Sequence, residues 1–127
     1  MSAQITKAIP VLPAADFEAS LTWWTTICGF KQAFREGTYA GLTHGGTYLH
    51  IAGMTDTQLA RTVGDQTMLR FHVDDIDAMY AEYQGRGGKV HPNGALGTKP
   101  WGTREFGAID PCGVCVSFVQ LAHADET

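Results

Sequence analysis

Five side chains stand out as able to do chemistry: His50, Arg70, His72, Ser117 and Trp101. Histidine titrates near neutrality and ligates metals, so His50 and His72 raise acid–base or metal chemistry first, although a lone histidine is more often satisfied by hydrogen bonds. Cys112-x-x-Cys115 has the spacing of a redox or zinc pair, but no second pair follows to close a tetrahedral site. Asp74-Asp75 lies where a strand gives way to a helix, which makes it a strand end and a helix cap rather than a carboxylate couple. Trp101, between Pro100 and Gly102, is a large aromatic held out of regular structure. Together these residues suit a sizeable organic ligand more than a bare ion.

The elements that must position them follow from periodicity and punctuation. Ile5 to Leu12 reads as a short strand. Asp16 caps a helix with an apolar stripe of Phe17, Leu21, Trp24 and Cys28, ended by Gly29. Trp23 is left on the flank of that helix, as a possible subunit contact. Segments 30–35, 38–43 and 47–52 are strands separated by glycine turns. Residues 54–65 show no strand pattern and read as a linker. The order then begins again: a strand at 68–73, a helix capped by Asp75 with Ile76, Met79, Tyr80 and Tyr83 apolar, and a stop at Gly87-Gly88. A short segment at 89–91 and a glycine-rich loop follow. A hairpin turning on Asp110-Pro111-Cys112-Gly113 closes the second half.

An offset of 59 residues carries Asp16 onto Asp75, Phe17 onto Ile76, Leu21 onto Tyr80 and Gly29 onto Gly88. Such a repeat predicts an α+β fold of two βαβββ modules, at about 5–53 and 66–121, forming a curved mixed-sheet half-barrel in a single domain, residues 1–127. Each helix covers one face of its sheet, and the other, concave face lines a cup. Alternation sends Leu49, Ile51, Leu69, Phe71, Val116 and Phe118 to the helix side. It leaves Ile9, Val11, Tyr48, His50, Met68, Arg70, His72, Cys115, Ser117 and Val119 facing the cup. Arg70 either faces the ligand as a free cation or pairs with a carboxylate such as Glu105.

The chain has 127 residues and a formal net charge of −4. That balance argues against nucleic acid, whose binding needs a basic footprint, and favours a cationic small ligand. No apolar run reaches membrane-spanning length and no secretory leader is recognisable, so no membrane partner is expected. Three cysteines, an odd number, fit a reducing compartment, so the expected location is cytoplasmic.

The duplicated pattern, the Asp-capped helices, the opening AIPVLPAADFEAS, the segment YAGL, the helix phrase DIDAMYAEY and the sequence PWG-REF followed by DP-G resemble the vicinal oxygen chelate superfamily. Within it the chain is most similar to the bleomycin-resistance, or bleomycin-binding, proteins. The resemblance implies a homodimer that holds an aromatic, partly cationic antibiotic in crevices at the subunit interface, with an exchanged N-terminal arm. It carries Trp101 over as a stacking residue and matches Tyr39 to an aromatic wall of the same crevice; where the relatives have aromatics this chain has His50, Arg70 and His72. With Tyr48, His50, Arg70, His72 and Ser117, which alternation turns to the cup, these two residues make up the expected ligand-binding set. The superfamily's metalloenzymes place ligands at positions that fall here on Ile9, His50, Met68 and Ser117. Only His50 is a good donor for a divalent metal, so neither a metal nor another cofactor is expected. The expected function is sequestration without catalysis. The alternatives are a metal-dependent lyase, isomerase or dioxygenase of the same superfamily, and a binding or sensing module for another aromatic cation.

Overall fold

The computed structural model describes residues 2–122. The first module consists of β1 (Val11–Ala14), α1 (Phe17–Thr22), β2 (Lys31–Glu36), β3 (Tyr39–His44) and β4 (Thr47–Gly53). After α2 (Thr57–Asp65) come β5 (Met68–His72), α3 (Ile76–Gly85), β6 (Gly97–Thr98), β7 (Thr103–Ile109) and β8 (Cys115–Leu121). Two four-stranded mixed sheets result, with strand orders β1-β4-β3-β2 and β5-β8-β7-β6. β1 runs parallel to β4 and β5 parallel to β8, and the other pairs are antiparallel. The repeat is exact in register: Val11 faces His50 across its ladder, and Arg70, 59 residues on, faces Ser117.

The caps fall where the sequence places them. Asp16 accepts from the Ala19 amide and Asp75 from the Ala78 amide, each at 3.1 Å, satisfying an otherwise unpaired donor of the first turn. Past Thr22 the first helix widens into a π-helical turn, Trp23–Ile27, in which the Cys28 amide reaches back to the Trp23 carbonyl at 2.9 Å. This turn buries Trp24 completely. Trp23 lies half-buried edge-to-face against Trp24 and Tyr83, with ring centroids 4.9 and 6.1 Å away, so it packs inside the chain instead of standing on a free flank.

Three expectations are corrected. The first strand begins at Val11, not Ile5: residues 2–8 are exposed, and Pro10 has no amide to offer the ladder, contributing only its carbonyl to the His50 amide at 2.9 Å. Pro13 is accommodated because β1 is an edge strand. Segment 89–91 forms a single bridge, Val90 to Ala108, and the second strand of the second module is the two-residue β6 instead. Residues 54–65, read as a linker, contain α2. Asp56 caps it by accepting from the Leu59 amide at 3.0 Å, and its buried face is made of Ala60 and Gly64. Gly64 lies so close to the Cys112 carbonyl that a Cβ there would sit 2.1 Å from the oxygen, so the helix approaches the β7–β8 turn only because that residue is glycine.

The helix-covered faces of both sheets share one core. Leu12, Leu42, Leu49 and Ile51 of the first sheet and Phe106, Val116 and Phe118 of the second belong to a single buried cluster with Trp24, Ile76 and Tyr83. Trp24 joins the modules directly. Its ring meets Phe71 of β5 edge-on at 6.1 Å, and its indole N–H donates to Oδ2 of Asp110 at 3.2 Å. Asp110 is also held by the Cys112 and Val114 amides at 2.8 and 2.9 Å. Burial pushes the Asp110 carboxyl above the usual carboxylate range, and these hydrogen bonds only partly oppose it.

Candidate functional site

Because the two covered faces meet in the middle, the concave faces point outward, away from the shared core. One chain therefore presents two separate faces. The first carries Tyr39, Tyr48 and His50; the second carries Met68, Arg70 and Ser117, with Trp101 at its rim.

On the first face, the Tyr39 hydroxyl and His50 Nδ1 are 2.7 Å apart, and their rings meet edge-on at 5.3 Å. A third ring joins them. Phe34 lies nearly parallel to Tyr39 at 6.2 Å and edge-on to His50 at 5.2 Å. It reaches this face through a register shift between Gln32 and Phe34, a bulge that turns the strand's alternation over. Its ring fills the space above Gly41, where a Cβ would lie 2.1 Å from Cε1. Phe34 is thus a member of the aromatic face that strand alternation passes over. Tyr48, further along β4, is partly exposed with the Lys7 ammonium 4.0 Å above its ring.

On the second face, Arg70 forms an ion pair with Glu105, Nη2 to Oε2 at 3.1 Å and Nη1 to Oε1 at 3.4 Å. The Thr103 hydroxyl donates to the same carboxylate at 2.7 Å. Burial works to raise the Glu105 pKa, but the hydrogen bonds from Arg70 and Thr103 and the charge of Arg70 outweigh it and hold the carboxyl below its usual range. Arg70 therefore does not face the solvent as a lone cation, and like-charge repulsion of a cationic ligand is offset at its source. Trp101 is mounted on the β6–β7 connection, whose ends are tied by the Lys99 amide to the Thr103 carbonyl at 2.7 Å and the Gly102 amide to the Lys99 carbonyl at 3.0 Å. At 62% exposed it is a ring held out by its backbone with little packed against it. A cavity of about 170 Å³ on this face is lined by Glu105, Cys115 and Ser117 together with Lys99 and the loop residues His91, Asn93 and Gly94. His72, at the end of β5, is exposed and borders a different cavity, between the modules.

The cysteines are free. Cys112 is buried with its thiol against the Ala60 carbonyl at 3.2 Å, and burial raises its pKa, as it does for Cys28, so neither thiol is poised as a thiolate.

Residues 5–118 match the model of the Glyoxalase/Bleomycin resistance protein/Dioxygenase superfamily. The chain belongs to that superfamily. Bleomycin resistance proteins of Geobacillus stearothermophilus and Staphylococcus aureus are 26% identical to it, over 90% of this chain and 96% of theirs. The crystal structure of the bleomycin-binding protein of the bleomycin-producing Streptomyces verticillus, complexed with copper(II)-bleomycin, is 31% identical, covers 92% of this chain and 97% of its own, and superposes with a TM-score of 0.73. The bleomycin resistance determinant encoded on transposon Tn5, 21% identical over 94% of this chain and all of its own, has the same fold with a TM-score of 0.77.

The four positions that the resemblance implies as metal ligands fit a metal poorly here. Ile9 has no donor and precedes β1, Met68 offers a thioether on an exposed side chain, Ser117 offers a neutral hydroxyl, and Nδ1 of His50 is engaged by Tyr39. Among the described residues no group of three or more His, Cys, Asp or Glu side chains is arranged to hold a metal ion. No helix among them is long and apolar enough to cross a membrane.

Proposed function

We propose that this protein binds a bleomycin-like antibiotic, or a related planar and partly cationic compound, and sequesters it without chemical change. The observation that carries the reading is Trp101: a ring held out by its backbone beside a carboxylate that stays ionised, on a chain similar along nearly its whole length to a bleomycin-binding protein. A flat heteroaromatic would stack on Trp101 and lose apolar surface to it, while the Glu105–Arg70 pair and Ser117 take polar groups. Binding of this kind lowers free drug by mass action and needs no turnover.

The working unit in this reading is a homodimer. Seven large apolar side chains are exposed on the arm and the two concave faces: Ile5, Val11, Phe34 and Tyr48 on one side, Met68, Trp101 and Ile109 on the other. Exposed apolar surface of that extent marks an interaction site. Placing the first face of one chain against the second face of its partner covers both and sets Phe34 and Tyr39 opposite Trp101, so that the drug is held between walls from two chains.

Titration with bleomycin, followed by tryptophan emission and calorimetry, tests the proposal. The expected result is saturation at one drug per chain in a particle of dimer mass. Trp101→Ala should lose at least about thirtyfold in affinity, the scale of an interface hot spot, with the melting temperature nearly unchanged. Absence of saturation, or chelator-sensitive turnover of the drug, would overturn it.

A further inference from the structure

A cavity of about 550 Å³ belongs to neither concave face. It opens where the two modules meet, between the Gly29-Phe30 turn of the first and the end of β5 with one face of α3 in the second. Its volume falls in the range of small-molecule sites. The floor is aromatic: Phe71 lies between Phe30 and Phe118, with centroids 5.8 and 5.9 Å away. The rim is acidic. Asp74, Asp75 and Glu82 line it together with His44, His72 and one guanidinium, that of Arg86, which lies over Gly29. Asp75 is occupied with capping Ala78, whereas Asp74 and Glu82 take part in none of the ion pairs of the described residues. Both are exposed, so neither carboxylate is needed to hold the fold.

We propose that this inter-module cavity is a second binding site, for an organic monocation with an aromatic body. The body would rest on Phe71, where a ring face also attracts positive charge, and the ammonium or guanidinium would meet the acidic rim at Asp74 or at Glu82. An anion is disfavoured by three carboxylates against one arginine, and a neutral compound gains nothing from the rim. Since the walls come from both modules, an occupant bridges them and stabilises the native state by linkage.

The test uses phenethylammonium as the probe, with 2-phenylethanol and 3-phenylpropanoate as neutral and anionic counterparts of similar shape, followed by calorimetry and thermal melting. The expected result is saturable binding and a raised melting temperature for the ammonium alone, equal in the wild type and in Trp101→Ala. The double variant Asp74→Asn, Glu82→Gln should weaken it by about tenfold or more. Ala78→Trp, which fills the cavity from an exposed helical position, should abolish it. Equal binding of all three probes, no saturation by the ammonium, or loss of binding on Trp101→Ala would each overturn the proposal. Because bleomycin titration depends on Trp101 and this one does not, the two readings fail separately.

Discussion

The two concave faces share a scaffold and almost nothing else. Val11 opposite His50 and Arg70 opposite Ser117 are the same ladder position in the two modules, yet the first face is a set of touching rings and the second is an ion pair beside one isolated indole. The helix-covered sides have not diverged in this way: Leu49 and Ile51 answer Val116 and Phe118, all fully or nearly fully buried. Close packing constrains the covered side, where a change of one methylene is felt, whereas the outward side is limited only by what it must bind. In such a duplicated fold the shared core carries stability and the differing faces carry selectivity.

That division breaks most visibly if the core contact between the modules is cut. Trp24→Ala removes a fully buried indole that touches Phe30 and Phe71 and leaves Asp110 without one of its donors. A cost of about 3–5 kcal/mol is expected, read by urea denaturation, with both modules unfolding in one transition. Survival of second-module structure after the first has melted would show two independent units. Gly41→Ala comes next, at about 1–3 kcal/mol, since its methyl must displace the Phe34 ring. It should also weaken drug binding, because the first face loses its outermost ring, and a crystal structure of the variant would show Phe34 turned out.

Much of this was legible in the sequence, and the exceptions have physical causes. The aspartate caps, the alternation of β4, β5 and β8 and the mounting of Trp101 all depend on neighbours along the chain, which is why they could be read. α2 escaped because its buried face is Ala60 and Gly64, residues that pack by smallness and leave no apolar stripe, while Leu59 and Val63 are exposed. Phe34 escaped because a bulge two residues into the strand inverts the alternation used to assign faces. The outward turn of the two faces depends on Trp24 meeting Phe71 and Asp110, a contact between modules that an internal repeat cannot encode.

Two smaller changes sharpen the contrast between the faces. Tyr39→Phe keeps the ring and removes only the hydroxyl that meets His50, so a loss of about 0.5–1.5 kcal/mol in stability is expected, with stacking preserved. A loss of drug affinity as large as that of Trp101→Ala would mean that the hydroxyl, not the ring, makes the contact.

Glu105→Gln has the smallest expected effect on stability and the most specific signature. Its ion-pair partner Arg70 is half exposed, so solvent screens the pair and the variant should lose no more than about 1 kcal/mol at neutral pH. The sign of the pH dependence follows from the lowered pKa of Glu105. A carboxyl bound more tightly as the anion in the folded state contributes stability above its unfolded pKa, and that contribution is lost as pH falls through the folded value. The gap between wild type and Glu105→Gln should therefore be constant at neutral pH and close below the ordinary glutamate range. Asp110, raised by burial, acts in the opposite sense: its native form gains relative to the unfolded chain as pH falls through the raised value. The wild-type profile alone mixes the two, and only the difference between wild type and variant isolates Glu105. The same variant leaves Arg70 unneutralised, so a cationic drug should bind several-fold more weakly while a neutral stacking compound does not. Equal loss for both would mean that the pair serves only to hold Trp101 in place.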